Sequence, residues 1–191
     1  MPVLRRSLFL LLDAGCKPVV AAVPEDLVAD ASELAADLSE VKLVTGGSSR
    51  QESVARGLAW IDSEIVVVHD AARPLAPAGL VSKALDALGD RDGAVVALPM
   101  DETLKEVEAG AVVATVDRSR LWTVQTPQVF RASILRLAHE RARVDGFAGT
   151  DDAQLVERSG GKIAVVEGER SNLKLTYEED FELAERWLRS R

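Results

Sequence analysis

The chain has 191 residues, 47% of them hydrophobic, and a net charge of −8 at neutral pH, which suits one domain with a full apolar core and excludes a disordered chain. It has no Lys/Arg-rich block, and so no counter-charge for nucleic acid or an anionic membrane surface. A single cysteine, Cys16, excludes an internal disulfide and a cysteine-built zinc site.

The opening stretch PVLRRSLFLLLDAG repeats Val3, Leu4, Leu8, Leu11 and Leu12 near the helical period, with Gly15 where a C-cap glycine belongs, and predicts a helix. Its apolar centre, LFLLL, stops at Asp13, well short of the roughly 7–15 residues of an export segment. The cytoplasm is the expected location. Strand and helix then alternate. KPVVAAV, VKLVT, EIVVVHD and GAVVALP are predicted strands, and EDLVADASELAADL, RQESVARGLAWI and PAGLVSKALDAL the helices between them. The strands are continuous Val/Ile/Leu/Ala runs, the pattern of strands buried on both faces of a parallel sheet. After Pro99 the rhythm breaks. DETLKEVEAGAVVATVDRS predicts two short strands around EAGA, carrying Lys, Glu and Thr on what should be a solvated face: a protruding hairpin or a dimer arm over about residues 100–120. The α/β pattern resumes with the helix ASILRLAHERAR, a short helix after Thr150, the strand KIAVVEG and a last helix. That last helix sets Phe181, Ala184, Trp187 and Leu188 on one face. The expectation is one domain, residues 1–191: an α/β, Rossmann-like, mostly parallel sheet with helices on both faces and a hairpin arm.

Open α/β sheets bind ligands beyond the carboxyl ends of their strands. There, GGSSRQESV offers Gly46 and Gly47, which let a flat or anionic ligand approach the backbone, although Ser49 and Glu52 equally fit a helix capping box. HDAARP places Asp70 at a strand end, where a carboxylate can face magnesium, and Arg73 three residues on, where it can clamp a phosphate. The same residues also fit a salt-bridged turn closed by Pro74, and His69 fits a packed strand residue. Further along stand Asp101, Thr103 and Lys105, then Asp117 and Arg118, Thr126, Thr150 and Asp151, and finally Asn172, Lys174 and Thr176. Thr150 and Thr176 also suit helix N-caps, and Arg118 and Lys174 also suit surface charges. Hydroxyls with a few cations near element ends suit a phosphorylated polyol. With two histidines and no Gly-x-Ser-x-Gly turn, nothing points to a nucleophile triad.

In order, GGSSRQESV, VHDAARP, DETLK, TVDR, LWTVQTPQVF, TDDA and VEGERSNLKLT resemble the motifs of the 2-C-methyl-D-erythritol 4-phosphate cytidylyltransferase family. The resemblance implies transfer of CMP from CTP to methylerythritol phosphate, pyrophosphate release, and magnesium or another divalent cation as cofactor. It implies that Gly46, Gly47 and Ser53 line the cytosine and ribose site, and that Asp70 and Ala71 flank the triphosphate and metal. Arg73, Thr126 and Thr150 would serve the acceptor, as would Thr103 and Arg118 reaching across from the arm of a partner subunit in a homodimer. Arg118 and Lys174 would position the acceptor phosphate for in-line attack. Ribitol-5-phosphate cytidylyltransferases share most of these motifs, so another polyol phosphate is the second expectation. The family further implies a strand and a Gly-rich loop ahead of the first helix, about 30 residues in all. Without them, the expectation is a sheet short of a central strand and slow turnover of CTP. A non-catalytic form that binds nucleotide or a full-length subunit is the third expectation.

Overall fold

The structure is a computed structural model, and residues 1–189 are described. Each apolar run becomes a strand and each amphipathic stretch a helix, in the predicted alternation. The elements are α1 (Val3–Asp13), β1 (Val19–Val23), α2 (Val28–Ala35), β2 (Val41–Thr45), α3 (Arg50–Leu58), β3 (Ile65–Val68), α4 (Gly79–Leu88) and β4 (Gly93–Pro99). After them come β5 (Leu104–Glu108), β6 (Ala111–Val116), β7 (Trp122–Arg131), α5 (Ala132–Asp145), α6 (Asp152–Arg158), β8 (Ile163–Glu167) and α7 (Glu178–Arg189). Gly15, at φ +81°, closes α1 as expected, with Cys16 N–H donating to Leu11 O.

The strands form a four-stranded sheet in the order β3-β7-β4-β8 and a separate parallel pair, β1-β2. β4 and β8 run parallel, while β7 lies antiparallel between β3 and β4. The sequence did not mark β7 as a strand, because Pro127 sits in its middle. A proline cannot donate to a ladder and enters a central strand only at an irregularity. Here Val95 pairs with Gln128 and Val96 with Gln125, so Thr126 and Pro127 bulge out between them. Helices cover both faces of the sheet. Val66, Val68, Val95 and Phe130 pack with Leu58 of α3, Leu135 of α5 and Leu155 of α6. Ile65, Val67, Val96 and Val129 pack on the other face with Leu10 of α1 and Leu80 of α4.

The hairpin stands where it was expected. β5 and β6 pair antiparallel around Ala109 and Gly110, both at positive φ, and nearly every residue from 101 to 124 is exposed. The last helix forms where it was expected; Ala184 is buried, Trp187 and Leu188 are half-buried, and Phe181 on the same face is 48% exposed.

Candidate active site

The carboxyl end of β3 delivers Asp70 to a point where three other segments converge. Arg50, on the first turn of α3, donates through Nε to Asp70 Oδ1 at 2.9 Å, and Lys174 Nζ lies 3.0 Å from Oδ2. The Asp70 N–H donates to Thr126 Oγ1 at 3.0 Å. Burial alone would raise the Asp70 pKa, but Arg50 and then Lys174 outweigh it and hold the carboxyl below its ordinary value. Asp70 is therefore an anion gripped by two cations at the mouth of the sheet.

The neighbouring contacts fix this arrangement. His69 Nε2 reaches Arg73 O at 3.2 Å, and only its N–H can donate to a carbonyl. Nδ1 is then the acceptor, and Thr126 donates to it at 3.0 Å while receiving the Asp70 N–H. Burial pulls the His69 imidazole down to about 4, which agrees with this neutral tautomer. His69 is thus a packed strand residue with a fixed tautomer. Arg73 NH1 donates to Asn172 O at 2.7 Å, Asn172 Nδ2 donates to Thr126 O at 2.8 Å, and Leu175 N–H donates to Ala72 O at 2.8 Å. These bonds lay the segment that carries Lys174 across the carboxyl end of β3 and the middle of β7.

Beneath Asp70 runs a second layer. The other face of Arg50 meets Asp152 Oδ2 at 2.7 Å, and Asp152 Oδ1 accepts from His139 Nε2 at 2.9 Å. Asp152 is 1% exposed, so its charge depends on these partners. Neither Arg50 nor Asp152 was singled out from the sequence. Both lay inside quoted motifs, but 102 residues separate them, and no local pattern signals such a pair.

The structure brings some of the expected residues together and leaves others apart. Asp70, Thr126 and Lys174 meet, with Arg73 and Ala71 in the same loop. Ala71 O accepts from Ser7 of α1 at 2.7 Å. Thr126 is buried and holds the Asp70 backbone instead of facing solvent. Gly46 and Gly47 form the neighbouring β2–α3 turn and Ser53 stands on the first turn of α3, with their hydrogen bonds turned inward. Gly46 N–H donates to Val23 O at 2.7 Å, Gly47 N–H to Ser53 Oγ at 3.0 Å, and Ser53 Oγ–H to Ser49 O at 2.9 Å. A Cβ at Gly47 would stand 2.3 Å from the Glu52 side chain, so glycine is needed there for space. Half of the expected capping box forms: Ser49 accepts from Glu52 N–H, while the Glu52 carboxylate turns to Ser48. Thr150 is exposed and stands one residue ahead of the α6 cap, which is Asp151. Thr103 and Arg118 lie exposed on the arm, away from Asp70, whose charged partners are Arg50 and Lys174. Asp180 accepts from the N–H groups of Thr176 and Tyr177 and so takes a capping part at the start of α7, where Thr176 was the expected cap. Among the described residues no three His, Cys, Asp or Glu side chains gather into a metal cage.

Comparison with known proteins decides the family. Residues 1–190 match the family described as IspD: 2-C-methyl-D-erythritol 4-phosphate cytidylyltransferase. The chain belongs to this family. A cytidylyltransferase of Aquifex aeolicus is 44% identical over 185 residues, covering 97% of this chain and 84% of the relative. One from Bacillus velezensis is 44% identical over 177 residues, covering 90% of this chain and 76% of the relative. Among solved structures, the Thermus thermophilus cytidylyltransferase superposes with a TM-score of 0.82 at 36% identity, over 98% of this chain and 89% of that one. The Anaerococcus prevotii 4-diphosphocytidyl-2C-methyl-D-erythritol synthase reaches 0.91 at 28% identity, again over 98% and 89%. The fold is the Rossmann-like α/β fold of these cytidylyltransferases.

Proposed function

We propose that this chain transfers the cytidylyl group of CTP to 2-C-methyl-D-erythritol 4-phosphate, in the synthesis of isoprenoid precursors. The observation that carries the reading is the family match along residues 1–190, with Asp70 and Lys174 paired at a strand end as such a site requires. An oxygen of the acceptor phosphate attacks the α-phosphorus of CTP. The new O–P bond forms as the bond to the bridging oxygen breaks, pyrophosphate leaves, and no enzyme residue is modified. The protein's part is positioning and charge.

Lys174 is half-exposed, so its ammonium can leave Asp70 for the incoming phosphate. Arg73, Thr126 and Thr150 complete the acceptor side in this reading, with Thr126 acting through the Asp70 backbone. Gly46, Gly47, Ser53 and Ala71 flank the nucleotide. Their N–H groups are largely engaged within the chain, so the glycines serve by leaving room. A magnesium ion or another divalent cation would sit between Asp70 and the triphosphate and neutralise charge there. One protein carboxylate beside substrate phosphates is a usual magnesium arrangement, and Asp70 fits that part.

Thr103 and Arg118 act in a homodimer, each arm reaching the site of the other subunit. What supports this is an arm that exposes Val107, Val112, Val113 and Trp122, more apolar surface than a free hairpin keeps in water. Residues 1–191 work as one domain in the cytoplasm. In keeping with that, no helix among the described residues is long and apolar enough to cross a membrane.

Magnesium-dependent pyrophosphate release from CTP and methylerythritol phosphate tests the reading, with CTP binding followed by calorimetry. Asp70→Asn and Lys174→Ala should each lower release by roughly a hundredfold or more. Release untouched by both substitutions, or a chain that neither releases pyrophosphate nor binds CTP, would overturn it. Faster release with ribitol 5-phosphate would move the acceptor to that polyol.

A further inference from the structure

Residues 146–151 join α5 to α6 and carry Thr150. Gly146, at φ +63°, ends α5, and Phe147 N–H returns to Ala142 O at 2.8 Å. Beyond that point the polar groups of the loop turn to side chains, and those side chains are glutamines. Gln51 of α3 takes two backbone groups at once: its Oε1 accepts from Gly149 N–H at 2.9 Å, and its Nε2 donates to Phe147 O at 3.1 Å. A backbone N–H only donates and a carbonyl only accepts, so these two partners fix one orientation of the amide. Gln154 of α6 accepts through Oε1 from Thr150 N–H at 2.8 Å. Gln128 of β7, buried in the sheet, donates through Nε2 to Asp151 Oδ2 at 2.9 Å.

These bonds fasten the loop to the elements around Asp70. Arg50 and Gln51 are consecutive on α3 and so point to different neighbours, about 100° apart around the helix. Arg50 reaches Asp70 and Asp152, and Gln51 reaches over the loop that leads to Asp152. Gln128 stands opposite Val68 in the sheet, just before Asp70. The apolar hold on the loop is slighter. Phe147 is partly buried against the core with the Arg158 guanidinium over its ring, while Thr150 is exposed. Backbone groups that find no backbone partner must find another, and in this loop the choice of partner sets the shape.

We propose that Gln51 is a positioning residue for the reaction: by gripping the loop on both sides of Ala148 it holds Thr150 beside the site for the acceptor polyol phosphate. Thr150 serves the acceptor in the reaction proposed above, and this part for Gln51 rests on that reading. Both ends of the Gln51 amide are engaged by the loop, so it acts through Thr150. A loop released from the clamp has to be ordered when the acceptor binds, and that cost falls on acceptor affinity. The nucleotide side keeps its own bonds, since those of Gly46, Gly47 and Ser53 run to Val23, Ser53 and Ser49.

Gln51→Met keeps the length and the helix propensity of the side chain and removes both bonds. By NMR, with no substrate present, the Gly149 amide should exchange about tenfold faster or more in this variant. Calorimetry with CTP present should show methylerythritol phosphate bound about tenfold more weakly, and CTP itself changed by less than about twofold. In turnover the acceptor KM should rise by the same factor, with a smaller change in kcat. Gln51→Glu is the conservative variant. Its carboxylate still accepts from Gly149 N–H but cannot donate to Phe147 O, so slow exchange at Gly149 should return. Unchanged Gly149 exchange or acceptor affinity in Gln51→Met, CTP weakened as much as the acceptor, or fast exchange in Gln51→Glu would each overturn the part given to Gln51 and leave the reaction standing. A Gln51→Met chain that has lost its fold would overturn it as well, by making the residue purely structural. A parent chain that neither binds the acceptor nor releases pyrophosphate would instead overturn the reading of the reaction, and this part with it.

Discussion

β4 and β1 are built from the same small apolar residues, yet they fare differently. In β4 the run from Gly93 to Val96 is wholly buried, while β1 is buried only at Val19 and Val23. β4 has β7 on one edge and β8 on the other, and helices on both faces. β1 has β2 on one edge and an open slot on the other. Composition makes a strand suitable for a core, but only neighbours on both edges put it there. The four-stranded half is a finished core, and the two-stranded half is held to it chiefly by helices.

The largest effect that would sharpen this contrast is a cavity in the finished half. Phe130, fully buried, should cost about 3–5 kcal/mol when replaced by alanine, read as a lower urea midpoint. Val20→Ala in β1 should cost about 1 kcal/mol or less, since partial burial leaves less to lose. Equal costs would show that the smaller half is packed as tightly as the larger.

Arg50 is one polar tie between the halves, beside the apolar contact of Leu58: α3 packs on β1 and β2, while Asp70 and Asp152 belong to the four-stranded side. Arg50→Met leaves Asp152 buried without that partner and should cost about 3 kcal/mol. It should also lower pyrophosphate release, because Asp70 loses one of its two cations. Full stability in Arg50→Met would mean that the halves need no such tie. Gly57→Leu should raise stability by about 1 kcal/mol through helix propensity alone; a loss would show that the cavity beside β1 has no room for the added side chain.

The smallest effect concerns the β2–α3 turn. Hydrogen bonds from the Ser48 hydroxyl and backbone, then Arg56, hold Glu52 at about 2 against an ordinary 4.5. Its contribution is complete above pH 4.5 and lost as the pH falls toward 2. Glu52→Gln should flatten that part of the acid stability profile. A profile identical to the parent would place the acid sensitivity elsewhere.

Much of this was legible beforehand. The alternation of apolar runs and helical stripes gave the α/β order, and EAGA between two short strands in a segment rich in Lys, Glu and Thr gave the arm. Asp70 was legible because a carboxylate directly after a Val-rich strand must emerge at a sheet end. β7 was not legible, because Pro127 argues against a central strand unless a bulge accommodates it, and a bulge is set by the partner strand. The part played by Thr126, from inside the sheet, follows from that same bulge. Arg50 and Asp152 were hidden because their pairing is purely tertiary. The apolar face of α7 could be read, but periodicity cannot say whether such a face meets its own chain.

The arm's geometry has a bearing on what a protease would do. Its tip, Ala109 and Gly110, is exposed on a hairpin whose strands pair only with each other among the described residues, which is where a protease finds backbone it can extend. β4, ahead of such a cut, is bonded to β7 and β8, both behind it. A clipped molecule would therefore run as two bands on a denaturing gel and as one particle in native solution. The break would open the covalent chain while the sheet closed over it like a seam.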